Sequence, residues 1–326
     1  MKKKIPTIFM LILLLLLTAS CNTESGKSIS NESSKDEAMY DVFFDSDVTY
    51  NVKLDGKLET EILKNSHPKI SIESSTEQFD TSKKVQIKLG KYELDANYVS
   101  KKTYTDGTIV NIYSNEDDNA TYTQVENSNV FTVVSTSQTP LTSYPETVAS
   151  EKDLTNRVNE YLSKFIDISS IKDYSYQCTT NLYVRSENGA WNEAKNGFYV
   201  PTAENEEIKN YTIAYVLYSG EYETADSIIV KCDKTGNISS IYNYNYGIDW
   251  SRAKFDESKI QKSIADYLNK YLNSGYTLKE YEIVSKKIIY SQNSIKLSLV
   301  IDVKVNNDGT VIAVKCPLQI SPTLAK

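Results

Sequence analysis

Residues 154–166, LTNRVNEYLSKFI, place apolar side chains at the spacing of one helix face. The apolar members are Leu154, Val158, Tyr161, Leu162, Phe165 and Ile166. They fall on one side because an α-helix turns once in about 3.6 residues. Residues 260–272, IQKSIADYLNKYL, repeat the spacing with Ile260, Ile264, Tyr267, Leu268, Tyr271 and Leu272. The sequence therefore predicts two amphipathic helices built on one pattern.

The flanks of the two helices also correspond, which extends the match to a repeat. Ser150 and Asp256 stand at the same offset before each helix, and both are good N-cap residues followed by a Glu. Strand-like residues follow each helix and end in turns at Thr235-Gly236 and Asp308-Gly309. We therefore expect two helix-plus-antiparallel-sheet repeats, at 149–252 and 253–326.

The residues before the first helix alternate between apolar and polar side chains, as half-buried strands do. Val85, Ile87 and Leu89 are one such run, and Asp55-Gly56 marks a tight hairpin turn between two others. Residues 41–148 thus read as a β-rich domain. The predicted fold class is α+β, an N-terminal antiparallel β domain followed by the two repeats.

The segment YETAD at 222–226, followed by Ile228-Ile229-Val230 and Asp233-Lys234-Thr235-Gly236, resembles PepSY-like modules of Gram-positive cell-surface lipoproteins. The likeness covers about 150–250 well and 256–320 less well. It implies a non-catalytic role, because such modules are associated with binding or restraining proteases. The pattern contains no catalytic residues to carry over.

The N-terminus indicates export and anchoring. Three lysines at 2–4 precede an apolar run at 8–17, and Leu17-Thr18-Ala19-Ser20-Cys21 resembles a bacterial lipobox. We expect cleavage of a signal at 1–20, lipidation of Cys21, and a flexible tether at 21–40 that is poor in apolar residues. The lipid would hold the protein at the extracellular face of the cytoplasmic membrane. An ordinary secreted protein or a single-span anchor is the alternative.

The amino-acid composition argues against several classes of partner and site. The formal net charge is −7, which disfavours nucleic acid as a partner. His67 is the only histidine, so neither a His-dependent catalytic site nor a zinc site is expected, and no cofactor is implied. Asn115-Glu116-Asp117-Asp118-Asn119 holds oxygen ligands but lacks EF-hand spacing, which favours a solvated turn.

Three cysteines remain after Cys21, namely Cys178, Cys232 and Cys316. At most one disulfide can form among them, and Cys178 with Cys232 is the pair within one predicted repeat. The alternative is that all three are small buried side chains in strands.

Aromatic residues supply the candidate binding surface. Tyr242, Tyr244 and Tyr246 would share one strand face. Residues 185–210 make the first repeat longer than the second, and we predict a surface loop there that presents Trp191, Phe198 and Tyr199. Packing within the sheet is the alternative role for the tyrosines.

We therefore predict a non-catalytic binding or interaction module for a peptide, a protease or a cell-wall component. The rival prediction is an extracellular hydrolase of cell wall or polysaccharide that uses a carboxylate pair. The sequence leaves the oligomeric state open.

Overall fold

The computed structural model describes the chain in segments. These are residues 74–79, 84–104, 107–115, 117, 119–136, 139–187, 189–248, 250, 257–272, 274–291, 294–307 and 310–320, with strand pieces at 42–43, 51–52 and 323–324. The predicted signal and tether, the Asp55-Gly56 hairpin, the Asp256 cap and His67 lie outside the described residues.

The prediction of an α+β fold made of PepSY-like helix-plus-sheet repeats is wrong. Strands account for 59% of the described residues and helices for 14%. The described fold is therefore mostly antiparallel β-sheet with two short helices. The apolar spacing predicts both helices, but it contains no information on how many strands surround each helix. Among the described residues, no helix is both long and apolar enough to cross a bilayer.

The described residues fall into two compact units. The central unit comprises Ser74–Tyr218 and Ala225–Ile248. The other unit, which we call the C-terminal unit, takes in Ser219–Thr224 and the described residues of Met1–Glu73 and Asp249–Lys326. The strands that lie wholly or mostly in the central unit are β3 (Ser74–Gln78), β4 (Lys84–Leu89), β5 (Tyr92–Tyr104), β6 (Ile109–Asn115), β7 (Ala120–Val125), β8 (Phe131–Ser135), β9 (Ser175–Ser186), β10 (Gly189–Asn196), β11 (Glu206–Ser219), β12 (Tyr222–Cys232) and β13 (Ile238–Tyr244). The two-residue strands β1 (Val42–Phe43) and β2 (Asn51–Val52) come earlier in the chain and belong to the C-terminal unit.

Pairing in the central unit joins strands that are far apart in sequence. Strands β5, β6, β7 and β8 form an antiparallel meander, with β3 and β4 also paired to β5. Strand β8 then pairs antiparallel with β13, where Phe131 lies opposite Asn243. The order continues through β12, β11 and β9 to β10. The β8–β13 pairing thus joins the strands before the first helix to those after it.

Helix α1 (Glu151–Leu162) begins at the predicted cap, since the Ser150 side chain accepts a hydrogen bond from the Asp153 amide. Arg157, one turn later, binds the Asp153 carboxylate with its Nε and Nη2 at 3.0 Å each. Its Nη1 donates to the carbonyl oxygens of Glu146 at 2.6 Å and Thr235 at 3.3 Å. The start of α1 is therefore fastened to the turn between β12 and β13.

The apolar face of α1 is buried against strands from both sides of it in sequence. Leu154, Val158 and Leu162 are 0% exposed. One hydrophobic cluster contains them together with Phe131 of β8 and Ile228 of β12. The first predicted repeat therefore shares its core with the strands that precede it, instead of folding around a core of its own.

The end of α1 is held by the turn between β4 and β5. Phe165, just beyond the helix, packs between Tyr92 at 5.1 Å and Phe131 at 5.8 Å between ring centroids. The Lys91 amide donates to the Phe165 carbonyl oxygen at 2.8 Å. Gly90 allows this approach, because a Cβ built there would lie 2.2 Å from the same oxygen. A single 3₁₀ turn, Ile168–Ile171, follows.

The C-terminal unit contains α2 (Glu257–Tyr271) and the antiparallel strands β14 (Tyr276–Ser291), β15 (Ser294–Asn307) and β16 (Thr310–Ile320), with β17 at Thr323–Leu324 paired to β1. Ile260, Ile264 and Leu268 of α2 are buried, as is every second residue of β15 from Leu297 to Val305. The Tyr281 hydroxyl on β14 donates to the Gln261 carbonyl oxygen at 2.7 Å, which ties α2 to the sheet.

The close approach at Gly90 gives a stability prediction. Gly197 in the same unit also has a positive φ, +86°, but has nothing within 4 Å of its built Cβ. We expect Gly197→Ala to lower the free energy of unfolding by about 1 kcal/mol, the cost of a left-handed alanine. Gly90→Ala should lower it by about 3 kcal/mol, because the Phe165 carbonyl must also move. Denaturant unfolding measures the free energy of unfolding of both variants. Equal decreases would contradict the contact between Gly90 and the Phe165 carbonyl at the end of α1.

Candidate binding surface

The end of the central sheet is a ribbon of three strands, β10, β9 and β11, with β9 in the middle; we call it the outer ribbon. β9 pairs antiparallel with β10 from Gly189 opposite Ser186 to Asn196 opposite Thr179, and with β11 on its other side. β9 and β11 alternate between buried and exposed residues, as strands with one face in a core do. β10 is largely exposed along its length.

The prediction of a surface loop at 185–210 is corrected by β10. Gly189–Asn196, which contains Trp191, is a strand. Its sequence, GAWNEAKN, has neither strict alternation nor β-branched residues, so pairing with β9 decides its conformation over local preference. The added length of this segment extends the sheet by one strand.

Residues after β10 cross one face of β9 before β11 begins. The Thr180 hydroxyl, 0% exposed, donates to the Gly197 carbonyl oxygen at 2.8 Å and accepts from the Tyr199 amide at 2.9 Å. Phe198 stacks on Tyr211 with centroids 5.2 Å apart and packs against the main core. Of the predicted loop aromatics, Phe198 is thus a packing residue.

Trp191 and Tyr199 have different surroundings. Trp191 lies opposite Val184 in the register and is 48% exposed, although Val184 itself is 4% exposed. Tyr199 is half-buried, and its hydroxyl donates to Glu206 Oε2 at 2.7 Å. Trp191 therefore presents a large apolar surface to solvent at the margin of the core, whereas Tyr199 is held in place by its own hydrogen bond.

The opposite side of the outer ribbon, which we call the polar face, carries Tyr183, Arg185 and Glu207. Arg185 lies over the Tyr183 ring at 5.6 Å and pairs with Glu207 at 3.6 Å. Lys234 reaches the same carboxylate at 3.1 Å, and this hydrogen bond lowers the Glu207 pKa.

Amide side chains continue the polar face across the middle of the outer ribbon. Asn181 Nδ2 donates to Asn210 Oδ1 at 2.7 Å and to Thr212 Oγ1 at 3.1 Å. Lys209 Nζ donates to Asn192 Oδ1 at 3.1 Å, which fixes a lysine of β11 above a residue of β10. The polar face is therefore built of interlocked hydrogen-bonding groups.

The predicted tyrosine row begins on β13, which β12 separates from the outer ribbon. Tyr242 and Tyr244 of β13 stack with centroids 6.3 Å apart, and Tyr244 is 5% exposed. Tyr246 follows the strand, and its backbone amide donates to Asp226 Oδ1 at 3.0 Å. Tyr244 is thus a buried packing residue, while Tyr242 is half-buried.

Lys231 is a residue that the sequence analysis does not single out. Its ammonium group lies over the Tyr242 ring at 5.7 Å. The side chain of Lys231 is half-buried, and burial together with the charge of Lys209 lowers its pKa. The signal was present in the sequence, because Lys231 interrupts the apolar run between Val230 and Cys232.

The cysteines of the central unit are free and buried. Cys178 lies on β9 and Cys232 on β12, and β11 separates these strands. Two strand spacings are about 10 Å, beyond the roughly 7 Å that a disulfide spans between Cα atoms. Burial raises the pKa of the Cys232 thiol to about 12, so it is unreactive at neutral pH. The side chain of Cys316 lies outside the described residues.

Acidic groups show no arrangement for metal binding where the structure describes them: no cluster of three His, Cys, Asp or Glu residues could hold an ion. In the segment 115–119, Asn115 Oδ1 accepts from the Asp117 amide at 2.9 Å, while Glu116 and Asp118 lie outside the described residues. Asp153, Asp167, Glu207 and Glu280 have lowered pKa values because each accepts hydrogen bonds.

Searches against family models, curated proteins and solved structures found no match to this chain. The candidate surface is therefore defined by its own geometry, an exposed Trp191 at the edge of the outer ribbon and a charged polar face behind it.

Proposed function

We propose that this protein is a lipoprotein of the outer cell surface, anchored through a lipid on Cys21, that acts as a non-catalytic binding module. The anchor is supported by the basic start, the apolar run and the small residues before Cys21. A net charge of −7 gives an anionic membrane no electrostatic reason to hold the folded body, so the lipid supplies the attachment.

The binding role rests on one observation, the exposed Trp191 on an edge strand. Within the described residues, β10 pairs with β9 alone, so its other edge presents backbone N–H and C=O groups. Edge strands are commonly guarded by a charged lysine, but Lys195 is paired with Glu193 at 2.5 Å. An extended peptide segment can add to such an edge as a further strand.

Trp191 supplies the anchor for that peptide. Large aromatic side chains dominate binding energy where they are exposed beside a rigid scaffold. Val184 and Thr180 hold the scaffold rigid here, since both are buried in β9 directly under the neighbouring strand and the crossing segment. The partner class we propose is therefore a peptide in extended conformation with an apolar side chain that packs on Trp191.

The rival prediction of a hydrolase needs a carboxyl group with a raised pKa to act as the general acid. The four carboxyl groups named above have lowered pKa values, so they do not fill that role. No contact on the outer ribbon favours hydrolysis over binding, and we keep the binding role as the single proposal.

The anchor is tested by the mature N-terminus. We expect mass spectrometry of membrane-extracted protein to show a chain that starts at Cys21 and carries lipid on its thiol. Cys21→Ser should abolish the lipid and leave the signal uncleaved. An unmodified Cys21 in the wild-type membrane fraction would contradict the proposal.

The peptide role is tested with the full-length chain in detergent and a library of extended peptides. A bound peptide should slow hydrogen exchange of β10 amides, and Trp191→Ala should weaken binding by at least about tenfold, the scale of an aromatic anchor. Tyr218→Ala is the matched control. Tyr218 is 39% exposed, and it lies on the side of the sheet that faces away from Trp191.

Two outcomes would overturn the peptide role. The first is equal binding by wild type and Trp191→Ala. The second is unchanged binding of a peptide whose alternate backbone amides are methylated, because strand addition needs those amides. Turnover of a wall polymer by the purified chain would contradict the non-catalytic assignment.

A further inference from the structure

We infer that the polar face of the outer ribbon binds an anionic polymer rich in hydroxyl groups, such as an acidic glycan or a phosphodiester-linked polyol. This goes beyond the proposed function, since it uses the side of the sheet opposite to Trp191. The inference rests on a local excess of positive charge and on one lysine that the fold leaves without a partner.

The charge on the polar face has the opposite sign to that of the whole chain. Arg185 and Lys209 lie on this face, Lys234 reaches it from the turn after β12, and Lys231 lies on the same side of the adjacent strand β12. At the described strand positions on this side, Glu207 is the one carboxylate of β9, β10 and β11, while Glu223 at the start of β12 is paired with Lys287. Glu207 is already shared between Arg185 and Lys234. In a protein of net charge −7, this grouping concentrates positive potential on one surface.

Lys231 gives the strongest support for this inference. Its neighbours in β12, Val230 and Cys232, are 0% exposed in the core, so Lys231 points to the opposite side. Within the described part of the chain its ammonium has neither a hydrogen-bond acceptor nor a carboxylate, only the Tyr242 ring at 5.7 Å. Partial burial of an unpaired charge costs stability, and Lys209 adds repulsion. A bound anion would supply the missing partner.

The remaining groups of the polar face favour a polyol over a peptide. Asn181, Asn210 and Thr212 form a hydrogen-bonded row of amide and hydroxyl groups, which matches the donors and acceptors of a hydroxyl-rich chain. Sheet backbone groups here are used in pairing, so a peptide backbone has no strand edge to join on this face. Lysine ammonium groups serve phosphate and carboxylate alike as point charges.

The test measures binding of the full-length chain in detergent to four defined polymers. Polygalacturonate carries carboxylates on sugars, polyglycerol phosphate carries phosphodiesters on a polyol, dextran is neutral, and polyglutamate is an acidic peptide. We expect binding to polygalacturonate, polyglycerol phosphate or both, with an affinity that falls as salt rises because counterions are released.

Lys231→Met removes the charge and keeps an unbranched stem over Tyr242. We expect it to weaken binding at least tenfold and to reduce the salt slope by about one charge. Lys164→Met is the matched control, because Lys164 also lies over a tyrosine ring, that of Tyr161 at 4.4 Å, but is placed just beyond the end of α1 and not on the polar face. Unfolding midpoints of both variants verify that they fold.

Three results would overturn the inference. They are binding to neither anionic polyol, equal binding to dextran, and tighter binding to polyglutamate than to both polyols. Wild-type affinity in a folded Lys231→Met variant would also overturn it. Because Trp191 lies on the other face, Trp191→Ala should leave polyanion binding unchanged, which separates failure here from failure of the peptide proposal.

Discussion

Burial of the apolar face of α1 is the interaction on which the central unit depends. A helix of this length gains most of its stability from packing, and Leu154, Val158 and Leu162 are fully buried. The cover comes from β8 on one side of the helix in sequence and from β12 on the other. Arg157 fastens the start of α1 to one turn and Phe165 fastens its end to another. Strands separated by the helix are thereby held in one sheet.

The same burial determines where a binding surface can lie. β9 and β11 place Leu182 and Ile213 in the core, so their other side chains point away from it. β10 adds to the outer edge of β9, which leaves Trp191 at the margin of the core. The outer ribbon thus offers an apolar edge and a polar face from one rigid scaffold. Rigid strands lower the entropic cost of presenting both surfaces to a partner.

Local features of this fold could be predicted from the sequence, whereas strand partners could not. The apolar spacing and Ser150 located α1, and Thr235-Gly236 located the turn between β12 and β13. The pairing of Phe131 with Asn243 leaves no local periodicity, so the helix was assigned to a repeat of its own and the fold class was wrong. The prediction of a repeat assumed that matching helices imply matching tertiary structures, which secondary structure alone does not show.

The surroundings of the candidate residues could be predicted only in part, for a similar reason. Trp191 was singled out as an exposed aromatic, and the structure exposes it, but as part of a strand instead of a loop. Phe198 was grouped with it, although stacking on Tyr211 draws it toward the core. The presence of aromatic residues in a segment does not show which of them pack in the core and which are exposed to solvent. Lys231 was overlooked because a single lysine in a strand reveals its lack of a partner only once the neighbouring strands are in place.

Native-state hydrogen exchange of the full-length chain tests the shared core most directly. If α1 holds both sets of strands in one core, the slowest amides of β8, α1 and β12 should open with the same free energy and the same denaturant dependence, as members of one cooperative unit do. A β4–β8 region that opens at a clearly lower free energy than α1 and β12 would contradict the shared core and would restore the view of a separate β domain.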